Sequence, residues 1–264
     1  MLDLARSTKL KDAQIVVPES DAVITGFEAT RDGVYVVRIA GGLDTLSYIP
    51  VRGGKPQAMV LPVKGVVSDV RISADGTTFS FSMSGPVVNT RYFDVSGRTV
   101  RALGLQADSY PNARAFEVVS EQALSADKTE VPMTILRRRG ASLAGQTPTL
   151  IFAYGAYGDP MRPGYLSPIF PWLEEGGVFA VCHARGGGEK GRSWHEAGKG
   201  RNKPNGHADL IACAEHLIER RYTKAGRITV FGFSMAGVLI GPAVLKRPDL
   251  FKVGALSVAF LNPT

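Results

Sequence analysis

Between about residues 20 and 105, apolar side chains alternate with polar ones, which is the spacing of half-buried β-strands. Residues 34–39 and 78–83 show this alternation most clearly, and glycine-containing turns separate the runs. The turn Arg-Asp-Gly at 31–33 recurs as Ala-Asp-Gly at 74–76, a step within the ~40–45 residues of one four-stranded propeller blade. This region therefore predicts antiparallel strands, either about two blades of a larger β-propeller or a small β-sandwich.

Further along the chain, continuous apolar runs alternate with helical spacing. Apolar runs of strand length occupy residues 131–136, 149–154, 178–182, 228–231 and 253–260. The clearest helical pattern places Leu210, Ala214 and Leu217 on one face. Alternating strands and helices with apolar strands predict a mostly parallel sheet covered on both faces, the α/β class. We expect two regions, residues 1–109 and 110–264, with the last strand at a sheet edge.

The 264 residues include 31 Lys and Arg against 24 Asp and Glu, a net charge of +7, and 44% are apolar. Acidic residues interrupt the basic ones throughout, so the charge predicts no nucleic-acid partner. The sequence contains neither the ~18 continuous apolar residues of a membrane span nor the features of a signal peptide at its start. These observations predict a cytoplasmic protein without a membrane partner, and they leave its oligomeric state open.

The sequence shows no motif for a metal or an organic cofactor. Cys182 and Cys213 both lie in apolar surroundings without zinc-ligand spacing. We expect them to be buried free thiols.

Residues 226–240 contain the strongest chemical signal, an apolar strand-like run that breaks at Gly-Phe-Ser-Met-Ala-Gly and resumes as a helix-like run. Such a sharp strand-to-helix turn presents a serine hydroxyl above a sheet, as a nucleophile elbow does. Ser234 is the candidate nucleophile, and the backbone N–H of Met235 is a candidate oxyanion donor. An ordinary Gly-Ser turn is the alternative, because Ala236 stands where the commonest form of the motif has glycine.

Two loops follow other predicted strands. Residues 154–160 carry Tyr154 and Tyr157 at the carboxyl end of a strand, where open α/β sheets bind ligands. Tyr154 could donate its phenol to the oxyanion and Tyr157 could line a side-chain pocket, although both tyrosines could instead only pack the loop. The second loop, Arg-Gly-Gly-Gly-Glu at 185–189, lacks the Lys-Ser/Thr ending of a nucleotide-binding loop.

Together these motifs resemble the prolyl oligopeptidase family in their order and approximate spacing. The matching segments are 152–158, 184–189, 194–198, Asn202 and Lys203 with Asn205, 232–237 and 247–251. The resemblance implies an α/β-hydrolase peptidase domain from residue 110 onward, preceded by the last part of a β-propeller that restricts entry to short peptides. It implies a serine peptidase that acts on short peptides through an acyl-enzyme.

By position, the resemblance makes Ser234 the nucleophile, and Tyr154 and the Met235 N–H the oxyanion donors. It places Tyr157 at the proline pocket and Arg185 in a substrate-binding loop. In this family the triad aspartate and histidine lie well downstream of the serine, so we expect this chain to lack them and to be inactive alone. Two alternatives remain: a related esterase or acylaminoacyl hydrolase, and a catalytically silent fragment that serves as an interaction module.

Overall fold

The computed structural model describes residues 5–40 and 42–261, and its strands form three sheets. The strands are β1 (Val23–Ala29), β2 (Gly33–Ala40), β3 (Leu43–Pro50), β4 (Gln57–Met59), β5 (Val66–Ile72), β6 (Phe79–Gly85), β7 (Val88–Ser96), β8 (Thr99–Gln106), β9 (Phe116–Leu124), β10 (Glu130–Arg138), β11 (Thr149–Ala153), β12 (Val178–Cys182), β13 (Ile228–Phe233) and β14 (Phe251–Ser257). The α-helices are α1 (Phe170–Glu174), α2 (Arg192–Glu196), α3 (Lys203–Glu219) and α4 (Ala236–Lys246). Among the described helices, none combines the length and apolarity that crossing a bilayer requires.

The first eight strands form two antiparallel four-stranded sheets in simple sequential order, β1 to β4 and β5 to β8. They share a core in which the rings of Tyr35 and Phe79 stack with centroids 4.6 Å apart. The two repeated turns also meet, since the Arg31 N–H donates to the Gly76 carbonyl at 2.8 Å. The predicted antiparallel strands and their repeat are therefore confirmed as two equivalent four-stranded units.

The remaining strands form one six-stranded sheet in the order β14-β13-β11-β12-β10-β9. The four strands from β14 to β12 are parallel, whereas β10 pairs antiparallel with both β12 and β9. The prediction of a mostly parallel sheet with β14 at an edge is thus confirmed. Strand β9 was not predicted, because it lies at the other edge and exposes every second side chain.

The two faces of this sheet are covered unequally. Helices α3 and α4 pack on one face, where Ile151, Leu210 and Leu239 are fully buried in one core. On the other face the five-residue helix α1 buries Phe170 against β10 and β12. Beside α1 an apolar cavity of about 770 Å³ reaches from Leu136 across to Phe231. The expectation of helices along both faces therefore holds fully for one face only.

The prediction that both cysteines are free is wrong. Cys182, the last residue of β12, forms a disulfide with Cys213 in α3. Their Cα atoms are 6.1 Å apart because α3 packs over the end of that strand, which is within disulfide reach. A single pair of cysteines 31 residues apart gives no sequence signal of pairing, so only the packing reveals it.

One buried carboxylate links the first two sheets to the segment that follows β11. Asp44 in β3 accepts hydrogen bonds through Oδ2 from the Val67 N–H of β5 at 2.8 Å and from Arg162 at 2.9 Å. Arg162 belongs to the segment between β11 and α1. Burial raises the pKa of Asp44, and both hydrogen-bond partners oppose that rise.

Candidate active site at the carboxyl end of β13

The segment 226–240 forms the predicted strand, sharp turn and helix. Ser234 follows β13 directly and has φ of 52°, a conformation that non-glycine residues rarely adopt. Its N–H donates to the Ser257 carbonyl at 3.1 Å, and its carbonyl accepts from the Phe260 N–H at 2.8 Å. The strained backbone is therefore fixed by hydrogen bonds to β14 and to the segment after it, and the Ser234 side chain remains partly exposed.

Small residues are required on both sides of this turn. A Cβ on Gly232 would lie 2.6 Å from the Ala236 Cβ and 2.9 Å from the Ala153 carbonyl oxygen. A Cβ on Gly237 would lie 3.0 Å from the Phe260 carbonyl carbon. The methyl group of Ala236 is itself fully buried. The elbow thus tolerates alanine at 236 because glycine at 232 leaves room for it.

Tyr154 lies at the end of β11, the strand paired with β13, and its side chain faces Ser234. Burial raises the pKa of the Tyr154 phenol, the charges of Asp159 and Tyr157 add to the rise, and the interaction with the Ser234 hydroxyl opposes it. The phenol therefore stays protonated at neutral pH, and its O–H can donate a hydrogen bond. Its ring packs against that of Phe233 with centroids 5.3 Å apart, which fixes its direction.

Met235 and Tyr157 complete the group that the sequence predicted. Met235 has helical dihedral angles immediately before α4, and within the described residues its N–H donates to no other group. Such a free N–H at the start of a helix favours a negative charge. Tyr157 is 65% exposed and lines, with Met235 and Val238, a cavity of about 360 Å³. The structure thus brings Ser234, Tyr154, Met235 and Tyr157 together.

Arg185 has a different environment from the one the sequence suggested. Its side chain is buried, and its Nε and Nη2 donate to both carboxylate oxygens of Asp209 at 2.6–3.1 Å. Its other donors bond Asp127 and the Ser125 hydroxyl. These hydrogen bonds hold the pKa of Asp127 down, at about 2. The guanidinium therefore faces the interior of the chain, and its contacts support a role in positioning the glycine-rich loop rather than in binding substrate.

Sequence reasoning missed two residues of this region. Asp209 is fully buried in α3, and its inward carboxylate among apolar neighbours was the available signal. Lys203 begins α3 and extends into the cavity beside Tyr157, where its Nζ donates to the Gly155 carbonyl at 2.6 Å. The sequence indicates Lys203 only through the segment Asn202 and Lys203 with Asn205, which resembles the prolyl oligopeptidase family.

The four histidines have other partners. His183 contacts Thr134, His195 contacts the Gly186 carbonyl, His207 contacts the Val238 carbonyl and His216 contacts Glu121. His207 is buried rather than on the surface, and burial lowers its pKa. Among the described residues there is also no group of three or more His, Cys, Asp or Glu that could hold a metal ion.

Comparison with known proteins agrees with this geometry. Residues 165–264 match the model of the prolyl oligopeptidase family. The prolyl endopeptidase of Elizabethkingia miricola is 38% identical over 146 residues, which are 54% of this chain and 21% of that protein. Dipeptidyl aminopeptidase BI of Pseudoxanthomonas mexicana is 28% identical over 97% of this chain and 36% of that protein.

Solved structures show the same likeness. A prolyl endopeptidase superposes with a TM-score of 0.87 at 28% identity, covering 92% of this chain and 36% of its own. Oligopeptidase B from Leishmania major gives 0.83 at 25% identity, covering 94% of this chain and 37% of its own. The chain spans between a fifth and just over a third of the length of these proteins. Residues 165–264 therefore form a prolyl oligopeptidase family domain, and the chain has the fold of part of an α/β-hydrolase domain preceded by strands of an incomplete β-propeller.

Proposed function

We propose that Ser234 is the nucleophile of a serine peptidase site that cleaves short peptides through an acyl-enzyme. The observation that carries this proposal is the strained Ser234 backbone at the end of β13, with its side chain facing the Tyr154 phenol. A packing serine in a plain turn would need neither feature.

In the proposed reaction, Ser234 Oγ attacks the carbonyl carbon of the scissile peptide bond. Negative charge then develops on the carbonyl oxygen, and the Tyr154 O–H and Met235 N–H donate to it. The C–N bond then breaks, and the amine leaves with the proton that a base has taken from the Ser234 hydroxyl. Water later hydrolyses the ester, which releases the acid and returns a proton to Ser234 Oγ. Donors that are already oriented cost no reorganisation during the reaction, which is why the buried, ring-packed Tyr154 suits this role.

The proposal requires a base that the described contacts do not provide, since within residues 5–40 and 42–261 no histidine contacts Ser234. Residues 1–264 alone should therefore turn over peptides slowly or not at all. An oxyanion hole without a complete triad can retain on the order of 10³-fold acceleration over water.

We assign the substrate preference to the cavity between Tyr157 and Met235. Its exposed tyrosine ring and its volume of about 360 Å³ fit a proline or another small apolar side chain beside Ser234. The relatives named prolyl endopeptidase support proline. Dipeptidyl aminopeptidase BI, which aligns over nearly the whole chain, supports the alternative of a related hydrolase with another preference. Residues 1–109 are proposed to be the propeller part and residues 110–264 the peptidase part.

A fluorophosphonate probe tests the nucleophile directly, because it reacts with activated serine hydroxyls. Because the described residues supply oxyanion donors but no base, we expect slow labelling of Ser234, mapped by peptide mass spectrometry, and its loss in Ser234→Ala. Ser257→Ala is the matched control, because Ser257 is exposed at the end of the neighbouring strand. Equal labelling of both variants would overturn the proposal, and no labelling of the unaltered chain would favour a catalytically silent interaction module.

A further inference from the structure

Lys203 has an unusual position for a lysine. It is only partly exposed, and its side chain enters the cavity lined by Tyr157, Met235 and Val238 instead of extending into solvent. Its Nζ donates to the Gly155 carbonyl at 2.6 Å. Within the part of the chain that the structure describes, no carboxylate pairs with this ammonium group. Burying an ammonium group costs hydration free energy, so the charge-assisted hydrogen bond to the Gly155 carbonyl must offset part of that cost.

The contact lies at the centre of the turn that carries the candidate oxyanion donor. Gly155 follows Tyr154 directly and has φ of 56°. A Cβ on Gly155 would lie 3.1 Å from the Arg185 carbonyl oxygen and 3.2 Å from Leu239 Cδ2, so the turn is pressed against the glycine-rich loop and α4. The Gly158 N–H also donates to the Gly186 carbonyl at 3.0 Å. Lys203 thus adds a side-chain hydrogen bond to a turn that is also held by backbone hydrogen bonds and by packing against Leu239 and Phe233.

We propose that Lys203 is a positioning residue: by holding the Gly155 carbonyl, it fixes the turn 154–158 so that the Tyr154 phenol faces Ser234. The restraint on the turn is inferred from the contacts of Lys203 and does not depend on the function of Ser234. The effect of this restraint on the reactivity of Ser234 rests on the proposed function.

Charge supports this assignment. Burial lowers the pKa of Lys203 to about 8. The titratable groups that face it are His195 and Lys199 across the cavity, Tyr157 from the turn and His207 one turn along α3. Below about pH 8 the ammonium makes a charge-assisted bond to the carbonyl, and above it the neutral amine is a weaker donor. The restraint should therefore weaken as pH rises through about 8.

Hydrogen-deuterium exchange of the full chain tests the restraint without reference to activity. In Lys203→Met, the Gly158 and Asp159 amides should exchange about tenfold faster or more, the effect expected on loss of a hydrogen bond from a charged donor. Lys203→Arg should restore most of the protection, and Lys203→Gln serves if the methionine variant does not fold. Lys199→Met is the matched control, because Lys199 lines the same cavity but its ammonium pairs with Glu196.

Two further readouts separate positioning from simple stabilisation. After correction for intrinsic exchange, protection of this turn in the unaltered chain should fall above about pH 8, and Lys203→Met should be insensitive over that range. Unchanged exchange in Lys203→Met, or faster exchange spread evenly over all sheets, would overturn the proposal. If the turn loosens while fluorophosphonate never labels Ser234, the positioning role stands and the proposed function fails.

Discussion

The Ser234 side chain faces the Tyr154 phenol because each follows one of two adjacent parallel strands. β11 and β13 pair in register from Thr149 with Ile228 to Phe152 with Phe231, so both strands end at the same edge of the sheet. The strand pairing itself therefore brings together two residues that are 80 positions apart in sequence.

Replacing Tyr154 with phenylalanine should slow reaction at Ser234. Phenylalanine keeps the ring against Phe233 but removes the O–H, and losing one oxyanion donor costs about 10²–10³ in rate. The rate of fluorophosphonate labelling measures this loss. Tyr110→Phe is the control, since it also removes a phenol O–H, one bonded to Glu174 away from the elbow. Labelling of Tyr154→Phe at the unaltered rate would contradict the assignment.

Replacing Gly232 with alanine should destabilise the elbow by about 1–3 kcal/mol, because the new methyl overlaps the Ala236 Cβ. The double variant Gly232→Ala with Ala236→Gly should recover part of that loss, since the methyl moves from one side of the contact to the other. Denaturant unfolding measures the free energies of unfolding. Gly26→Ala is the control, because a Cβ there meets nothing within 4 Å. Additive effects of the two elbow substitutions would show that the residues do not compete for space.

Replacing Asp209 with asparagine should lower the free energy of unfolding by about 3–5 kcal/mol, because it leaves the buried Arg185 guanidinium without its main counter-charge. Asp249→Asn breaks an exposed pair with Arg247 and should cost no more than about 1 kcal/mol. Equal losses in the two variants would mean that the Arg185 network does not stabilise the fold beyond a surface pair.

The disulfide should contribute about 3–4 kcal/mol, the chain-entropy value for a closed loop of this length. The unfolding midpoint with and without a reductant measures it, and the double variant Cys182→Ala with Cys213→Ala should not respond to the reductant. Alkylation of the denatured, unreduced protein gives an independent count of free thiols. Two modified thiols per chain would contradict the Cys182–Cys213 bond.

The Glu121 carboxylate should make the free energy of unfolding fall at acidic pH. Burial raises its pKa, but hydrogen bonds from Tyr222 and His216, both at 2.6 Å, and the charge of Arg220 outweigh burial, so the pKa lies below the ordinary 4.5. Its stabilisation is therefore complete above about pH 4.5 and is lost as pH falls through the lowered value.

Glu121→Gln should consequently lose less stability than the unaltered chain when denaturation at pH 6 is compared with denaturation at pH 3.5. Glu219→Gln, an exposed change at the end of α3, should leave that difference as it is. An unchanged pH dependence in Glu121→Gln would show that the carboxylate contributes nothing.

Much of the architecture could be predicted because single-sequence patterns encode burial. The alternation around Tyr35 and Phe81 identified half-buried strands, and the continuous apolar runs identified the parallel strands β11 to β13. The pattern does not predict edge strand β9, because every second side chain of this strand is exposed and polar residues interrupt its apolar ones. The elbow was recognisable because Ser234 needs small residues at fixed positions on either side.

Contacts between distant segments could not be predicted in the same way. The pairing of Arg185 with Asp209, the bond between Cys182 and Cys213, and the reach of Lys203 to Gly155 all depend on how α3 lies over the sheet. The pattern of apolar and polar residues within α3 predicts a helix but not the direction in which it crosses the sheet. The substrate-binding role of Arg185 therefore stays a prediction from the resemblance, and the structure shows its donors bonded to Asp209, Asp127 and Ser125.

Asp44 makes the relative movement of the three sheets energetically costly. Its Oδ2 accepts hydrogen bonds from both Val67 and Arg162, and its buried Oδ1 has no hydrogen-bond partner among the described residues. A hinge opening that pulls Arg162 away from the first two sheets would leave the buried Asp44 carboxylate without its counter-charge until water entered. Such an opening should therefore require water to enter the contact between Asp44 and Arg162.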